Sequence, residues 1–482
     1  MPEFRSVLFI IGLMLAGMAL GMLFPMLLDL AANNPDWQVF FVSAGLTGFF
    51  AGALILTSRG EMRPLTVKQA FALTGWSWLI MTAFAALPFS FSALNMSYTN
   101  SFFEAMSGLT TTGATVIYGL DNAPPGILLW RALLQWFGGI GIIVMAIAVL
   151  PMLNVGGMQL FRLESSDTSE KILPRAAEIA GSIAKIYLFI SLLCGLAYLA
   201  AGMSPFEAVT HAMTTISTGG FSTSDLSIGY FDSSGIEMIA VLFMILSSLP
   251  FVLYLQVLHG DREPLFKDAQ VRGFVMLLLG VVMIMWLYRM ASSGIAPIAA
   301  FRDVIFNVTS VMTGTGYATT DYGLWGNFPL GLFLLVLFIG GCAGSTSCGL
   351  KIFRLQVILG TLQQQIRSLA YPRGVFAVRY NNQILTDDVT ASVLTFALTY
   401  FICFGLIALA LGLLGLDSLT ALSAAAAAIA NVGPGLGEII GPAGNYAALP
   451  DAAKWVLCFA MLLGRLELFS VLVMLTPSFW RN

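Results

Sequence analysis

Four nine-residue stretches of small and hydroxyl-bearing residues recur along the chain, and their composition suits cation coordination rather than covalent chemistry. They read A-M-S-G-L-T-T-T-G ending at Gly113, A-M-T-T-I-S-T-G-G ending at Gly220, V-T-S-V-M-T-G-T-G ending at Gly316, and A-A-A-A-I-A-N-V-G ending at Gly433. They align without gaps, and each carries a large apolar residue four places before its glycine: Leu109, Ile216, Met312 and Ile429. Glycine reaches backbone angles that a Cβ forbids and leaves its carbonyl unobstructed. Four such turns around one axis would form a ring of neutral dipoles able to replace the hydration shell of a monovalent cation. No carboxylate falls inside the windows, which argues against a ring for divalent ions, and carbonyl oxygens repel anions. Small residues in membrane helices often mean close packing alone. Packing does not explain four copies at one depth in one topological setting.

The elements that must hold these turns lie in a membrane. The chain has 482 residues, of which 58% are hydrophobic and 10% charged. Its mean hydropathy is +0.87. A soluble domain averages about 25% charged residues, and a soluble fold of this length could not hide so much apolar side chain. The net charge of -3 provides no basic field, so nucleic acid is not a partner. Two histidines, His211 and His259, and five cysteines in apolar stretches leave little for a metal site or a catalytic triad.

Apolar stretches long enough to span lie near 7–28, 39–56, 70–92, 126–150, 183–202, 236–258, 273–291, 328–352, 389–415 and 453–475, which makes about ten crossings. Basic residues such as Arg5, Arg59, Arg63, Arg162, Lys171, Arg175, Lys351, Arg354 and Arg481 gather on one side; Arg131, Arg289, Arg302 and Lys454 alone fall on the other. The bias places both termini in the cytoplasm. Between certain spans, the segments near 98–114, 204–221, 298–317 and 417–435 are apolar yet too short to cross. They read as re-entrant, and they contain the four windows. The fold class expected is an all-α polytopic membrane protein: four fused span–pore helix–span repeats around one pore, plus an N-terminal two-helix hairpin. Its parts are a hairpin over 1–66 and repeats over 67–160, 161–265, 266–380 and 381–482.

The motifs T-T-T-G-A-T (Thr110 to Thr115), S-T-G-G-F-S (Ser217 to Ser222), T-G-T-G-Y-A-T (Thr313 to Thr319) and N-V-G-P-G (Asn431 to Gly435) resemble the four filter motifs of the TrkH family. This family supplies membrane subunits of bacterial potassium-uptake systems and belongs to a superfamily with KtrB and the plant HKT transporters. The likeness spans nearly the whole chain, including the hairpin near 7–56 that KtrB lacks. It implies potassium uptake through a filter formed by Thr111, Thr112 and Gly113, by Thr218, Gly219 and Gly220, by Thr315, Gly316 and Tyr317, and by Asn431, Val432 and Gly433. Potassium would be the substrate and the only metal, and the chain itself would bind no cofactor. The resemblance also implies a homodimer, a cytosolic nucleotide-binding regulatory subunit resembling TrkA, a lipid surround and the bacterial cytoplasmic membrane. Ala114, Phe221 and Pro434 depart from the T-V-G-Y-G pattern of potassium channels, so selectivity should be weaker than in such a channel.

Two features would obstruct a pore. Gly340, Gly341, Gly344 and Gly349 share ten positions with Ser345, Thr346 and Ser347, a composition that weakens any helix. A close-packing face is the plain alternative; the resemblance points to an intramembrane gating loop, with Lys351 at its cytoplasmic end. Arg465 falls near the middle of the last span, where an arginine costs about 2.5–3.5 kcal/mol and must face a cavity or a partner. Glu467 is a poor intrahelical partner for it. The choice is between an ion pair to another helix and a guanidinium in the pore, and the resemblance favours the pore. Glu104 and Glu207 are expected in the first turns of their pore helices, where they would satisfy the helix dipole. Asp121, Asp225, Asp232 and Asp321 could attract cations at the entrance, and His211 packs inside the second pore helix.

Other functions fit less well. A less selective potassium and sodium pathway is the nearest alternative, although glycine at all four positions departs from the sodium-type HKT pattern. An ion-coupled secondary transporter with inverted repeats conflicts with four repeats entering from one side. An enzyme would need paired acid and base groups at membrane depth, and few charges lie there. No nucleotide-binding fingerprint is present, so any nucleotide control comes from another chain.

Overall fold

The computed structural model describes residues 4–60, 65–148, 172–381 and 383–481. Among these, seven helices are long and apolar enough to cross a membrane: Arg5–Ala31, Trp37–Thr57, Val67–Phe91, Pro125–Ile143, Glu178–Ala200, Ala269–Ser292 and Asp387–Leu413. Two bent pairs bring the total to nine. The tenth expected crossing is the short helix Asn327–Leu337, after which the chain stays non-helical until Ile352. Large apolar side chains such as Phe24, Phe49, Leu192, Met276 and Leu409 stand exposed on the outer faces, as a lipid-facing surface requires.

The sequence predicts one break, over 340–349. The structure adds two more: 236–258 bends by 90° between Ser247 and Phe251, and 453–475 bends by 112° between Arg465 and Phe469. Pro250 explains the first, because it lacks an N–H and restricts the residue before it. The second has Glu467 and Leu468 in the left-handed region, at φ 60° and 41°, where no helix continues.

Four shorter helices, Tyr98–Leu109, Pro205–Ile216, Pro297–Thr313 and Ser418–Ala430, occupy the segments read as re-entrant. Ser97, Ser204 and Asp417 cap three of them by accepting a backbone N–H, and Pro297 opens the fourth. The N-terminal hairpin is tied to the first repeat by Asp29, which accepts the Gly126 amide at 2.7 Å. Trp130 Nε1 fixes the next helix by donating to the Ala85 carbonyl at 3.0 Å.

Several basic residues are not loop charges. Arg131, Lys351, Arg354 and Lys454 are all buried within the helical body, because each finds partners there. Arg63, Arg162, Lys171, the side chain of Arg175 and the repeat boundary at 160/161 lie outside the described residues. The boundary at 265/266 falls inside the short helix Glu263–Lys267, and that at 380/381 in the turn between strands Arg379–Tyr380 and Gln383–Ile384.

Candidate functional site

Each short helix ends in the same turn. The amide two residues before the glycine donates three residues back, and the next amide donates five back. The pairs are Thr111 to Gly108 (3.0 Å) with Thr112 to Ser107 (2.8 Å), and Thr218 to Thr215 (3.0 Å) with Gly219 to Thr214 (2.9 Å). Gly314 to Val311 (3.1 Å) with Thr315 to Ser310 (2.9 Å) and Asn431 to Ala428 (3.3 Å) with Val432 to Ala427 (2.9 Å) complete the set. This is a Schellman cap, which needs a left-handed residue just past the helix. Thr111, Thr218, Gly314 and Asn431 take that role, at φ 51°, 50°, 77° and 53°.

Two residues on, Gly113, Gly220, Gly316 and Gly433 are left-handed again, at φ 85°, 76°, 82° and 96°. A β-carbon on Gly113 would fall on the carbonyl oxygen of Gly219, one on Gly220 on that of Thr315, and one on Gly316 on that of Val432. On Gly433 it would come within 2.7 Å of the Thr112 oxygen. Each glycine thus abuts the carbonyl just before the next repeat's glycine, in the order one, two, three, four and back to one. The backbone ring is closed, and it excludes side chains at all four places. A cavity of about 220 Å³ opens on it, lined by the four glycines with Thr115, Tyr118, Ser222, Asp225, Asn445 and Tyr446 among others.

The strands leaving the ring are braced from behind. Glu104, nine residues before Gly113, accepts from the Thr115 hydroxyl at 3.0 Å and the Val116 amide at 2.9 Å. It also pairs at 2.8 Å with Arg131, whose other nitrogens reach the Ser222 carbonyl at 2.7 Å and Thr115. Glu104 is therefore not a first-turn carboxylate; it lies mid-helix, fully buried, because it has a cation and two donors to satisfy. Glu207 does close a first-turn capping box with Ser204. The equivalent positions carry neutral braces: His211 Nε2 lies 3.1 Å from Ser222 Oγ, and Asn307 donates to Thr319 Oγ1 at 2.9 Å. In repeat four, Ser423 one place earlier accepts the Leu436 amide at 3.0 Å. The Tyr317 hydroxyl meets Thr214 Oγ1 at 2.5 Å, locking repeat three against the second short helix.

Two ring carbonyls have protein donors. Gln135 Nε2 donates to the Gly219 oxygen at 2.6 Å, and the Tyr446 hydroxyl donates to the Gly433 oxygen at 2.8 Å. Neither side chain stood out in the sequence, since each lies outside the repeated windows. Asp225, read as an entrance charge, lines the cavity and accepts the Gly119 and Leu120 amides at 2.9 and 3.1 Å.

The 340–349 segment is a closed loop. Its neck is tied by Gly340 N to Leu350 O at 2.9 Å and Leu350 N to Phe338 O at 2.8 Å. The broken helix of repeat two receives it: Cys342 N donates to Ser248 O at 2.9 Å, Thr346 Oγ1 to Ser247 O at 3.0 Å, and Phe251 N to Gly344 O at 3.0 Å. Gln270 accepts the Ala343 amide at 2.8 Å. Thr218 Oγ1 donates to Thr346 Oγ1 at 3.2 Å, so the loop lies directly against the base of the ring. Ser345 and Ser347 bond within the loop, to the Cys342 carbonyl at 2.6 Å and from the Gly341 amide at 2.8 Å.

Arg465 reaches the same loop from the last span. Its guanidinium donates to Thr346 O at 3.1 Å, Gly138 O at 2.9 Å and Cys348 Sγ at 2.5 Å, and it makes no ion pair among the described residues. Glu467 pairs instead with Arg354. Lys351, just past the loop, is buried, with Nζ on the Ser347 carbonyl.

Residues 37–481 match a family model described as TrkH, cation transport protein. The chain is 47% identical over 468 residues to the Trk system potassium uptake protein TrkI of Halomonas elongata, covering 96% of this chain and 94% of that one. It is 37% identical over 492 residues to the Trk system potassium uptake protein TrkH of Escherichia coli K12, covering all of both. The crystal structure of the potassium transporter TrkH from Vibrio parahaemolyticus superposes with a TM-score of 0.92 at 36% identity, over 99% of this chain and all of that one.

Proposed function

The chain belongs to the TrkH family of cation transport proteins, and from that premise we propose that it carries potassium ions through the four-part backbone ring. The observation that supports this reading most is the cyclic contact of each glycine with the next repeat's carbonyl. Backbone oxygens gathered around one axis offer a dehydrated monovalent cation uncharged ligands, and a cavity on one side supplies a hydrated waiting place. The loop over 340–349, with Arg465 bonded to it, is the barrier on the other side. The chain is a multi-pass membrane protein of a transporter family. Residence in a bacterial cytoplasmic membrane with both termini inside, a homodimeric assembly and control by a cytosolic nucleotide-binding subunit belong to the same proposal. So do the division into four repeats and the absence of a bound cofactor.

A second reading, a less selective potassium and sodium pathway, has one observation in its favour. Gly219 and Gly433 share their oxygens with Gln135 and Tyr446, which leaves those two repeats with fewer free lone pairs for an ion. Uptake of rubidium-86 into proteoliposomes of the purified chain, with potassium and sodium as competitors, tests both. Competition by potassium at concentrations where sodium is inert supports the first reading. Equal competition selects the second, and no cation-dependent uptake in folded protein overturns both.

A further inference from the structure

We propose that a single halide-sized anion, chloride in the cell, binds beneath the ring when the 340–349 loop is closed, held between Lys351 and Arg465. A small cavity of about 20 Å³, close to the space of one water or chloride, is lined by both residues together with Ser345, Ser347 and Glu467. Lys351 is 8% exposed and Arg465 1% exposed. Among the described residues neither has a carboxylate partner; the carboxylate at this cavity, Glu467, is taken by Arg354. Their own contacts are to neutral atoms: the Ser347 carbonyl for Lys351, and Thr346, Gly138 and Cys348 for Arg465. The Arg465 Nε remains without a hydrogen-bond partner although buried.

Two buried cations with no countercharge are costly to keep, because desolvation is not returned by neutral contacts. One anion in the cavity balances one of the two charges and gives the unpaired guanidinium N–H an acceptor. The site also has a conformational meaning. Lys351 follows the loop, Ser345 and Ser347 belong to it, and Arg465 comes from the last span, so moving the loop dismantles the site. An anion that binds only the closed arrangement favours it by mass action, about tenfold at ten times its dissociation constant.

The inference builds on the transport reading but is tested first without transport. Thermal unfolding of the purified, full-length chain is followed at constant ionic strength while chloride replaces gluconate. A saturable rise in the midpoint for wild type and Lys351→Arg, absent in Lys351→Met, supports the site. Identical midpoints in chloride and gluconate, or a shift that persists in Lys351→Met, overturn it. Should Lys351→Met fail to fold, anomalous diffraction from wild-type crystals grown in bromide decides: a peak between residues 351 and 465 supports the site, and its absence overturns it. Rubidium-86 uptake severalfold slower in chloride than in gluconate then links the anion to the closed loop. Loss of uptake in both salts would count against the transport reading and leave the binding result standing.

Discussion

Glu467 lies two residues beyond Arg465 yet pairs with Arg354, on the helix that continues from the loop at 340–349. The backbone at Glu467 is left-handed, at φ 60°, and its carboxylate meets Arg354 on that helix. Among the described residues Arg465 makes no ion pair, while Glu467, at the break in the last span, ties the exit of the loop to the final helix. Arg354 also stacks over Phe396 at 3.7 Å, and both members of the pair are buried.

That setting makes the pair costly to break from one side. Glu467→Gln should lower stability by about 3–5 kcal/mol, because it removes one half of a buried ion pair. The double variant Arg354→Met with Glu467→Gln should recover most of the loss, since apolar replacement of a buried pair is often neutral. Thermal unfolding of wild type, both single variants and the double variant measures the coupling. Additive losses would show that the two side chains do not act together.

Gly113→Ser should reduce the preference for potassium over sodium by on the order of tenfold, about 1.4 kcal/mol of discrimination. Serine is strained at φ 85°, and its Cβ would meet the Gly219 oxygen, so the first and second turns must separate. A wider ring accommodates a partly hydrated ion and discriminates less. Reversal potentials or competition of rubidium-86 uptake give the ratio. An unchanged ratio in folded protein would remove Gly113 from the conducting path.

Deleting Ala343 to Ser347 should raise uptake in the absence of any regulatory partner. The deletion removes the bonds of Thr346 to Ser247 and of Gly344 to Phe251, which hold the loop against the ring. A loop that served only to pack helices would give the reverse result: less folded protein, or folded protein with no gain in uptake.

The parts legible in the sequence were those repeated or expensive. Four copies of one window announced four short helices, each followed by a glycine turn at fixed spacing; the left-handed threonines and asparagine that end three of the helices carry no such marker. A glycine-rich run ending a span announced the loop. What stayed hidden depends on contacts between distant segments. Glu104 read as a dipole charge until Arg131, 27 residues on, came within 2.8 Å of it. The bend at Pro250 is marked in the sequence by a proline inside an apolar run. The bend after Arg465 has no such marker, since Glu467 and Leu468 are ordinary helix formers held left-handed by their surroundings. Tyr446 and Gln135 sit outside the windows and reach the ring through the fold alone.

Arg465→Ala should conduct faster than wild type with near-native stability. The argument rests on charge and on partners. A cation about 6 Å from the guanidinium, at an effective dielectric near 20, is repelled by roughly 3 kcal/mol. Removing that term from the barrier corresponds to on the order of a hundredfold in rate. Truncation also frees the Thr346 carbonyl and loosens the loop, which acts in the same direction. Stability should hold because, among the described residues, Arg465 bonds only neutral protein atoms, so alanine strands no carboxylate, and it relieves a buried charge with an unsatisfied Nε. Uptake and thermal unfolding measured on one preparation separate this barrier from a structural role. A rise in uptake with a small change in midpoint fits the barrier; a large fall in midpoint with no rise in uptake would assign Arg465 to packing.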